Sequence, residues 1–209
     1  MIKKVNINHV NGIVDIHLHS FEGFFLSFLG PKFLHLYYEA IADSKDSIAF
    51  MYIDDLGRSV GMIAGSVDPG KFYSHLLKTR WYKFIWVSFG AIIRRPSIIL
   101  RLLRAVFYPS NASNNSISVG LFSIGVLPEM QGRGIGKKLM VAFLEEVKKR
   151  GRQSVVLTTD RDNNVAANQF YEKSGFSISR QYVTREKRRM NEYLIDLNNV
   201  DLFIEQNSG

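Results

Sequence analysis

Between residues 123 and 147 the chain reads SIGVLPEMQGRGIGKKLMVAFLEEV. An apolar run stops at Pro128, Gly132, Gly134 and Gly136 follow at alternate positions, and an amphipathic helix begins. Glycines let a backbone turn with its N–H groups pointing inward, and they remove side chains that would hold a ligand away. The helix that follows adds a partial positive end and unpaired N–H donors, so the segment suits an anion such as a diphosphate. Arg133, Lys137 and Lys138 add formal charge. The G-x-G-x-x-G fingerprint fails because Lys137 stands where its third glycine belongs. The nucleotide triphosphate loop fails because Gln131 and Lys138 replace its first glycine and its hydroxyl residue. A tight strand-to-helix turn carrying solvated basic residues is the plain structural alternative.

A second constellation lies in DRDNNVAANQFYEKSGF, residues 160–176. Asn164, Ala167 and Tyr171 fall at i, i+3 and i+7, on one face of a helix, with Phe170 directed elsewhere, into the core. A small residue between an amide and a phenol leaves a groove with a polar group at each end. A calcium loop over Asp160, Asp162 and Asn164 is excluded, since Val165 replaces its glycine and Tyr171 its glutamate. His17 and His19 could suggest a metal pair, but no third ligand is evident, so no metal is expected.

The two segments together, V-x-P-x-x-Q-G-R-G-I-G at 126–136 and N-x-x-A-x-x-F-Y-E-K-x-G-F at 164–176, resemble the GNAT superfamily of acetyl-CoA-dependent N-acetyltransferases. The resemblance covers residues 118–197 well and the N-terminal third in outline; 69–109 lie outside it. It implies an α/β (α+β) fold whose mixed sheet splays between its fourth and fifth strands, with a helical insertion before the fourth. Acetyl-CoA would enter that gap. Backbone groups of Ile124 and Val126 would pair with the pantetheine arm, and N–H groups of Gln131, Gly132, Arg133, Gly134, Ile135, Gly136 and Lys137 would hold the diphosphate. Asn164 would contact the arm, and the Tyr171 hydroxyl would lie near the sulfur.

With no cysteine in the chain, a thioester-linked acyl-enzyme is excluded, and the simplest scheme is direct attack by the primary amine of a small-molecule acceptor in a ternary complex. A protein N-terminus or lysine is the alternative acceptor. Tyr171 could protonate the departing thiolate, and an N–H near Val126 could polarise the thioester carbonyl. The general base is not evident: Ser123, Ile124 and Gly125 occupy the strand centre where family members often carry a carboxylate. Asp160, Glu22, Glu39, His19, His75 and a water chain are the candidates. A catalytically silent CoA-binding module, acting through a basic surface, is the rival from another class.

Around these motifs the residue pattern predicts a strand at 2–8, helices at 10–18, 21–29 and 32–42 with a break at Gly30-Pro31, and a hairpin of strands 47–53 and 59–67. Helical patches follow at 73–78, 81–92 and 97–107, then a polar loop at 111–116. From residue 118 the order is β-α-β-α-β-β, with strands at 118–126, 154–159, 176–184 and 189–197 and helices at 134–150 and 163–174. The 209 residues are expected to form one domain, 1–209, with an aromatic and basic insertion at 69–109.

The formal net charge of +8 is local. Residues 69–128 hold eight Lys and Arg and no acidic residue, while the other 149 residues are balanced at 19 of each sign. The apolar stretch 84–93 is too short for a spanning helix, which needs about 20 residues. The insertion therefore reads as a lid on the domain or on a second subunit, as a surface for an acidic or nucleotide-linked acceptor, or as a contact for an anionic membrane. No nucleic-acid module is recognisable, so no nucleic acid is expected. The opening residues lack a secretory pattern, which makes cytoplasmic placement the expectation. FFLSFLGPKFLHLYYEAI at 24–41 resembles the N-terminal part of GNAT proteins of bacterial surface-glycan genes, whose acceptors include nucleotide-linked amino sugars. Phe24, Phe25, Phe28 and Tyr38 would then line the acceptor site.

Overall fold

The computed structural model describes residues 1–94 and 118–199. Seven strands form one sheet in the order β1-β2-β3-β4-β5-β7-β6. They are β1 (Ile2–Lys4), β2 (Ser47–Ile53), β3 (Ser59–Ser66), β4 (Val119–Val126), β5 (Ser154–Asp160), β6 (Ser177–Val183) and β7 (Arg189–Asp196). Every neighbouring pair is antiparallel except β4 and β5. That parallel pair is short, joining only Val119 to Val155 and Gly120 to Val156. Beyond it, 121–126 of β4 and 157–160 of β5 run on without pairing to each other.

Helices cover both faces. On one side lies α5 (Ile135–Lys149), with Leu139, Met140, Phe143, Leu144 and Val147 buried at the spacing that makes a continuous apolar stripe. Arg150 ends the helix and Gly151, at φ +69°, turns the chain out of it. Phe143 is fully buried against Ile63, Leu121 and Val155 of the same cluster. Phe143→Ala should therefore cost about 3–5 kcal/mol by leaving a cavity. A urea unfolding curve whose midpoint is unmoved would contradict this account of the core.

On the opposite face lie α1 (Val10–Ser20), α2 (Phe25–Leu29) and α3 (Pro31–Asp43), burying Ile13, Ile16, Leu34, Tyr38 and Ile41 against Met51 and Met62. The helix α6 (Val165–Lys173) follows β5. The first strand is shorter than the sequence pattern suggests: Asn6 caps a single turn at Ile7–His9 and stops β1 early. The second helical piece is likewise confined to Phe25–Leu29.

The patches at 73–78 and 81–92 belong to one helix, α4 (Pro69–Arg94). The polar stretch between them does not interrupt it, because Arg80 turns inward onto Asp43 at 2.6 Å and Glu39 at 3.9 Å. Phe84 packs edge-on against Phe33 with centroids 4.9 Å apart, and Phe72 is buried. The outer face shows Trp81, Tyr82, Ile85 and Trp86 to solvent beside exposed Lys78 and Lys83. The expected helix at 97–107 and loop at 111–116 lie outside the described residues. Among the described residues, no helix is long and apolar enough to cross a membrane.

Candidate active site

The glycine segment leads from β4 into α5 as its spacing implies. Gly132 and Gly134 both adopt φ +76°, a left-handed conformation, and a Cβ built on either would meet nothing within 4 Å among the described residues. Both positions border open space that a ligand can fill. Gly134 is the N-cap of α5 and offers no side chain to its first turn. The first i to i−4 bond of the helix runs from the Lys138 N–H to the Gly134 carbonyl. The N–H groups of Ile135, Gly136 and Lys137 precede that bond, as the first turn of a helix requires. Arg133, Lys137 and Lys138 stand exposed around them. The donor set and the clearance fit a diphosphate.

Two residues of the segment also make contacts within the protein. The Gln131 N–H donates to Pro128 O at 3.3 Å, and its side-chain amide donates to Val126 O at 3.2 Å, so Gln131 braces the turn. A Cβ on Gly136 would lie 3.4 Å from the Phe170 ring, an ordinary contact, so this glycine faces α6.

The parted edge of β4 is shaped from both sides. Ala64 pairs with Ser123 while Gly65 pairs with Leu121, leaving Phe122 as an extra, bulged residue. After the bulge, Ile124 and Val126 pack toward the α5 side, while Ser123 and Gly125 contact groups of α1 and α3 or the residue after α1. The Val126 carbonyl also accepts from the Ser20 hydroxyl at 3.1 Å. With Gln131 it has two donors, so this carbonyl is already engaged within the protein.

Tyr171 is half-buried in a ring cluster, with centroids 5.6 Å from Phe170, 5.7 Å from Tyr193 and 6.0 Å from Phe176. Burial, with Tyr193 beside it, pushes its phenol above the usual tyrosine range. It therefore keeps its proton through the neutral range. Asn164 is the N-cap residue of α6, not part of its first turn, and its amide donates to Thr159 Oγ1 at 2.7 Å. It ties the end of β5 to α6. Beside it Asn168, which the sequence pattern did not single out, donates to Asp160 O at 2.9 Å and accepts from Asn191 at 2.8 Å.

Most candidate bases are engaged elsewhere. Asp160 is gripped by Arg188, whose Nε lies 2.9 Å away, and Glu39 faces His35 and Arg80. Glu22 and His75 are exposed. His19 is exposed beside Asp15, whose carbonyl and carboxylate raise its pKa. His17 and His19 do not converge, because His17 points into the core and bonds Tyr38. Among the described residues, no group of three or more His, Asp or Glu could hold a metal. Phe24 and Phe28 are exposed near the end of α1, whereas Tyr38 is fully buried behind Ser123.

Burial lowers the His17 pKa from 6.5 to about 4. Below pH 6.5 the unfolded chain takes up a proton that the folded chain refuses until about pH 4, so this stabilisation is complete above 6.5 and lost through that window. The stability difference between wild type and His17→Gln should therefore shrink by about 3 kcal/mol between pH 7 and pH 4. Urea titrations at both pH values read it, and a constant difference would contradict the assignment.

A sheet parted at one parallel pair, beside an open glycine turn at the start of a helix, is the α/β arrangement that the motif resemblance implied. The sequence profile of the Acetyltransferase (GNAT) family matches residues 12–176. The chain belongs to the Acetyltransferase (GNAT) family, whose enzymes are acyltransferases that use acetyl-CoA.

A mycothiol acetyltransferase of Arthrobacter sp. (strain FB24) is 42% identical over 57 residues, 27% of this chain and 17% of that protein. N-alpha-acetyltransferase 30 of Schizosaccharomyces pombe is 45% identical over 53 residues, 25% of this chain and 35% of that protein. The matched stretches thus span well under half the length of these relatives. In fold, the ribosomal-protein-S18-alanine N-acetyltransferase from Escherichia coli aligns with TM-score 0.59 at 15% identity, covering 94% of this chain and 93% of that one. An N-acetyltransferase from Staphylococcus aureus Mu50 aligns with TM-score 0.60 at 15% identity, covering 94% and 98%.

Proposed function

We propose that this protein moves the acetyl group of acetyl-CoA to a primary amine of a small-molecule acceptor, with nucleotide-linked amino sugars as the favoured class. The observation that carries the reading is the parting of β4 from β5 after Gly120 and Val156, beside the open turn of Gly132 and Gly134. N–H groups of Gly132, Arg133, Gly134, Ile135, Gly136 and Lys137 receive the diphosphate in this reading, and Ile124 and Val126 line the pantetheine arm. Asn164 acts on the arm through the end of β5, and Tyr171 hands its proton to the leaving sulfur. Acetyl-CoA is the co-substrate, and no step requires a metal. The acceptor amine enters from the Ser123 side of the sheet, past Phe24 and Phe28.

A protein N-terminus is the second acceptor class, favoured by the likeness to N-alpha-acetyltransferase 30. Calorimetry with acetyl-CoA, followed by CoA release with a UDP-linked amino sugar, glucosamine, spermidine and an alanine-initiated peptide, decides between them. Turnover on a sugar amine supports the first class, and turnover on the peptide alone selects the second. Binding without turnover on any amine points to a module that holds CoA and does no chemistry.

A further inference from the structure

We propose that Ser123, Tyr38 and His17 form a proton relay that accepts the acceptor's proton at Ser123 and carries it into the core. This rests on the acetyl-transfer reading above. The three residues come from β4, α3 and α1 and meet at the parted end of the sheet. The Tyr38 hydroxyl lies 2.7 Å from His17 Nδ1 and 3.1 Å from the Ser123 hydroxyl. Met62 Sδ, 4.0 Å from the first hydroxyl and 3.9 Å from the second, forms an apolar floor. Ser123 is half-buried, in the part of β4 that has left β5, whereas Tyr38 and His17 are sealed. The wire thus has one end at the proposed reaction space and the other in the core.

Among the described residues His17 Nε2 is buried without a hydrogen-bond partner, and the Phe21 ring lies 4.7 Å from the imidazole between centroids. A buried unpaired donor is costly, so a purely structural cluster would be expected to satisfy it. The relay requires Tyr38 to donate to Nδ1 and Ser123 to donate to Tyr38, so that the Ser123 oxygen keeps its lone pairs for an incoming N–H and the imidazole carries its hydrogen on Nε2. The titratable groups facing the cluster are Tyr37 and Tyr38 of α3 and Tyr73 of α4, all shifted upward chiefly by burial. On α1 itself Asp15 and His19 pair at the surface, and burial alone accounts for the lowered His17.

As the amine nitrogen bonds to the acetyl carbon and the C–S bond breaks, the nitrogen's proton passes to Ser123 Oγ. The serine proton moves to Tyr38 and the tyrosine proton to His17 Nδ1. The sulfur leaves with the electron pair of its bond and takes a proton from Tyr171, which solvent restores. When product departs, the imidazolium returns its proton along the same bonds to water. Burial disfavours the imidazolium, which drives that return.

The test uses the full-length protein, acetyl-CoA and whichever amine of the panel turns over fastest. Tyr38→Phe, His17→Gln and Ser123→Ala should each lower kcat about 100-fold, the ordinary size of general-base catalysis, with KM for acetyl-CoA unchanged. The double variant Tyr38→Phe/His17→Gln should be no slower than either single one, as expected for residues acting as a unit. The pH at which kcat levels off should rise by about one unit or more in the variants, and Ser123→Thr should restore the rate. Should His17→Gln fail to fold, the Ser123→Ala and Ser123→Thr pair decides alone. Losses that multiply, or a pH profile of unchanged shape, overturn the relay while leaving acetyl transfer standing. Nitrogen NMR showing the His17 hydrogen on Nδ1 overturns it equally. Binding of acetyl-CoA with no wild-type turnover on any amine overturns the transfer reading and the relay with it.

Discussion

Tyr171→Phe should leave acetyl-CoA binding intact while turnover falls by about 100- to 1,000-fold, within the range for loss of a positioned general acid. The ring is retained, so contacts with Phe170, Phe176 and Tyr193 survive and the fold should hardly notice the change. What disappears is the proton that, in the proposed reading, meets the departing thiolate. Because burial raises the phenol above its ordinary range, wild-type activity should show no limb from Tyr171 ionisation below about pH 10. Calorimetry and steady-state CoA release on the same preparations check both halves of the statement. A variant that keeps its kcat within threefold of wild type would remove Tyr171 from the chemistry.

Gly134→Val should weaken acetyl-CoA binding by about 10- to 100-fold. The residue sits at φ +76°, where an L side chain costs about 1–2 kcal/mol and a β-branched one is worse placed still. The turn would re-form to relieve that strain, and its N–H groups would no longer converge. Each 1.4 kcal/mol lost from binding is tenfold in the dissociation constant, so modest misalignment accounts for the range. The valine would also enter the open space that the proposed phosphates need. Unchanged affinity would show that the diphosphate is held elsewhere. Gly136→Ala serves as a contrast, since its methyl would make an ordinary contact with Phe170 at 3.4 Å rather than meet a ligand.

Much of this was legible from residue type and spacing. The stripe of α5, the Gly151 stop and the β-α-β-α-β-β order after residue 118 all rest on local patterns, and the structure reproduces them within a few residues. So does the splay, through its resemblance to the family. What stayed hidden depends on contacts distant in sequence. The bulge at Phe122 arises from the register of β4 on β3, which no periodicity in either strand announces.

The continuity of α4 depends on Asp43 and Glu39, which turn Arg80 from a solvated charge into an anchor. Asn164 looked like one face of a helix because its spacing to Tyr171 is helical, yet capping geometry places it just outside. His17, Tyr38 and Ser123 are separated by 21 and 85 residues, so only the packed fold brings them into line. Glu192 is similar: the alternation of β7 does not reveal a carboxylate that is buried, takes a hydrogen bond from Ser179 at 3.0 Å, and leaves Oε2 without a partner among the described residues.

The Phe170 ring lies 3.4 Å from where a Cβ on Gly136 would stand, an ordinary contact, so the helix that would hold the phosphates and the helix that carries Tyr171 pack directly on each other. In the proposed reading the pocket thereby acts as a caliper on its donor, matching the reach from diphosphate to sulfur. An acyl chain extends beyond the sulfur and leaves that reach unaltered. Preference for acetyl over longer acyl groups therefore falls to the far side of the opening, where Ser123 and Gly125 lie and where Ser20 and Phe21 would already stand within 3.1 Å of a Cβ on Gly125.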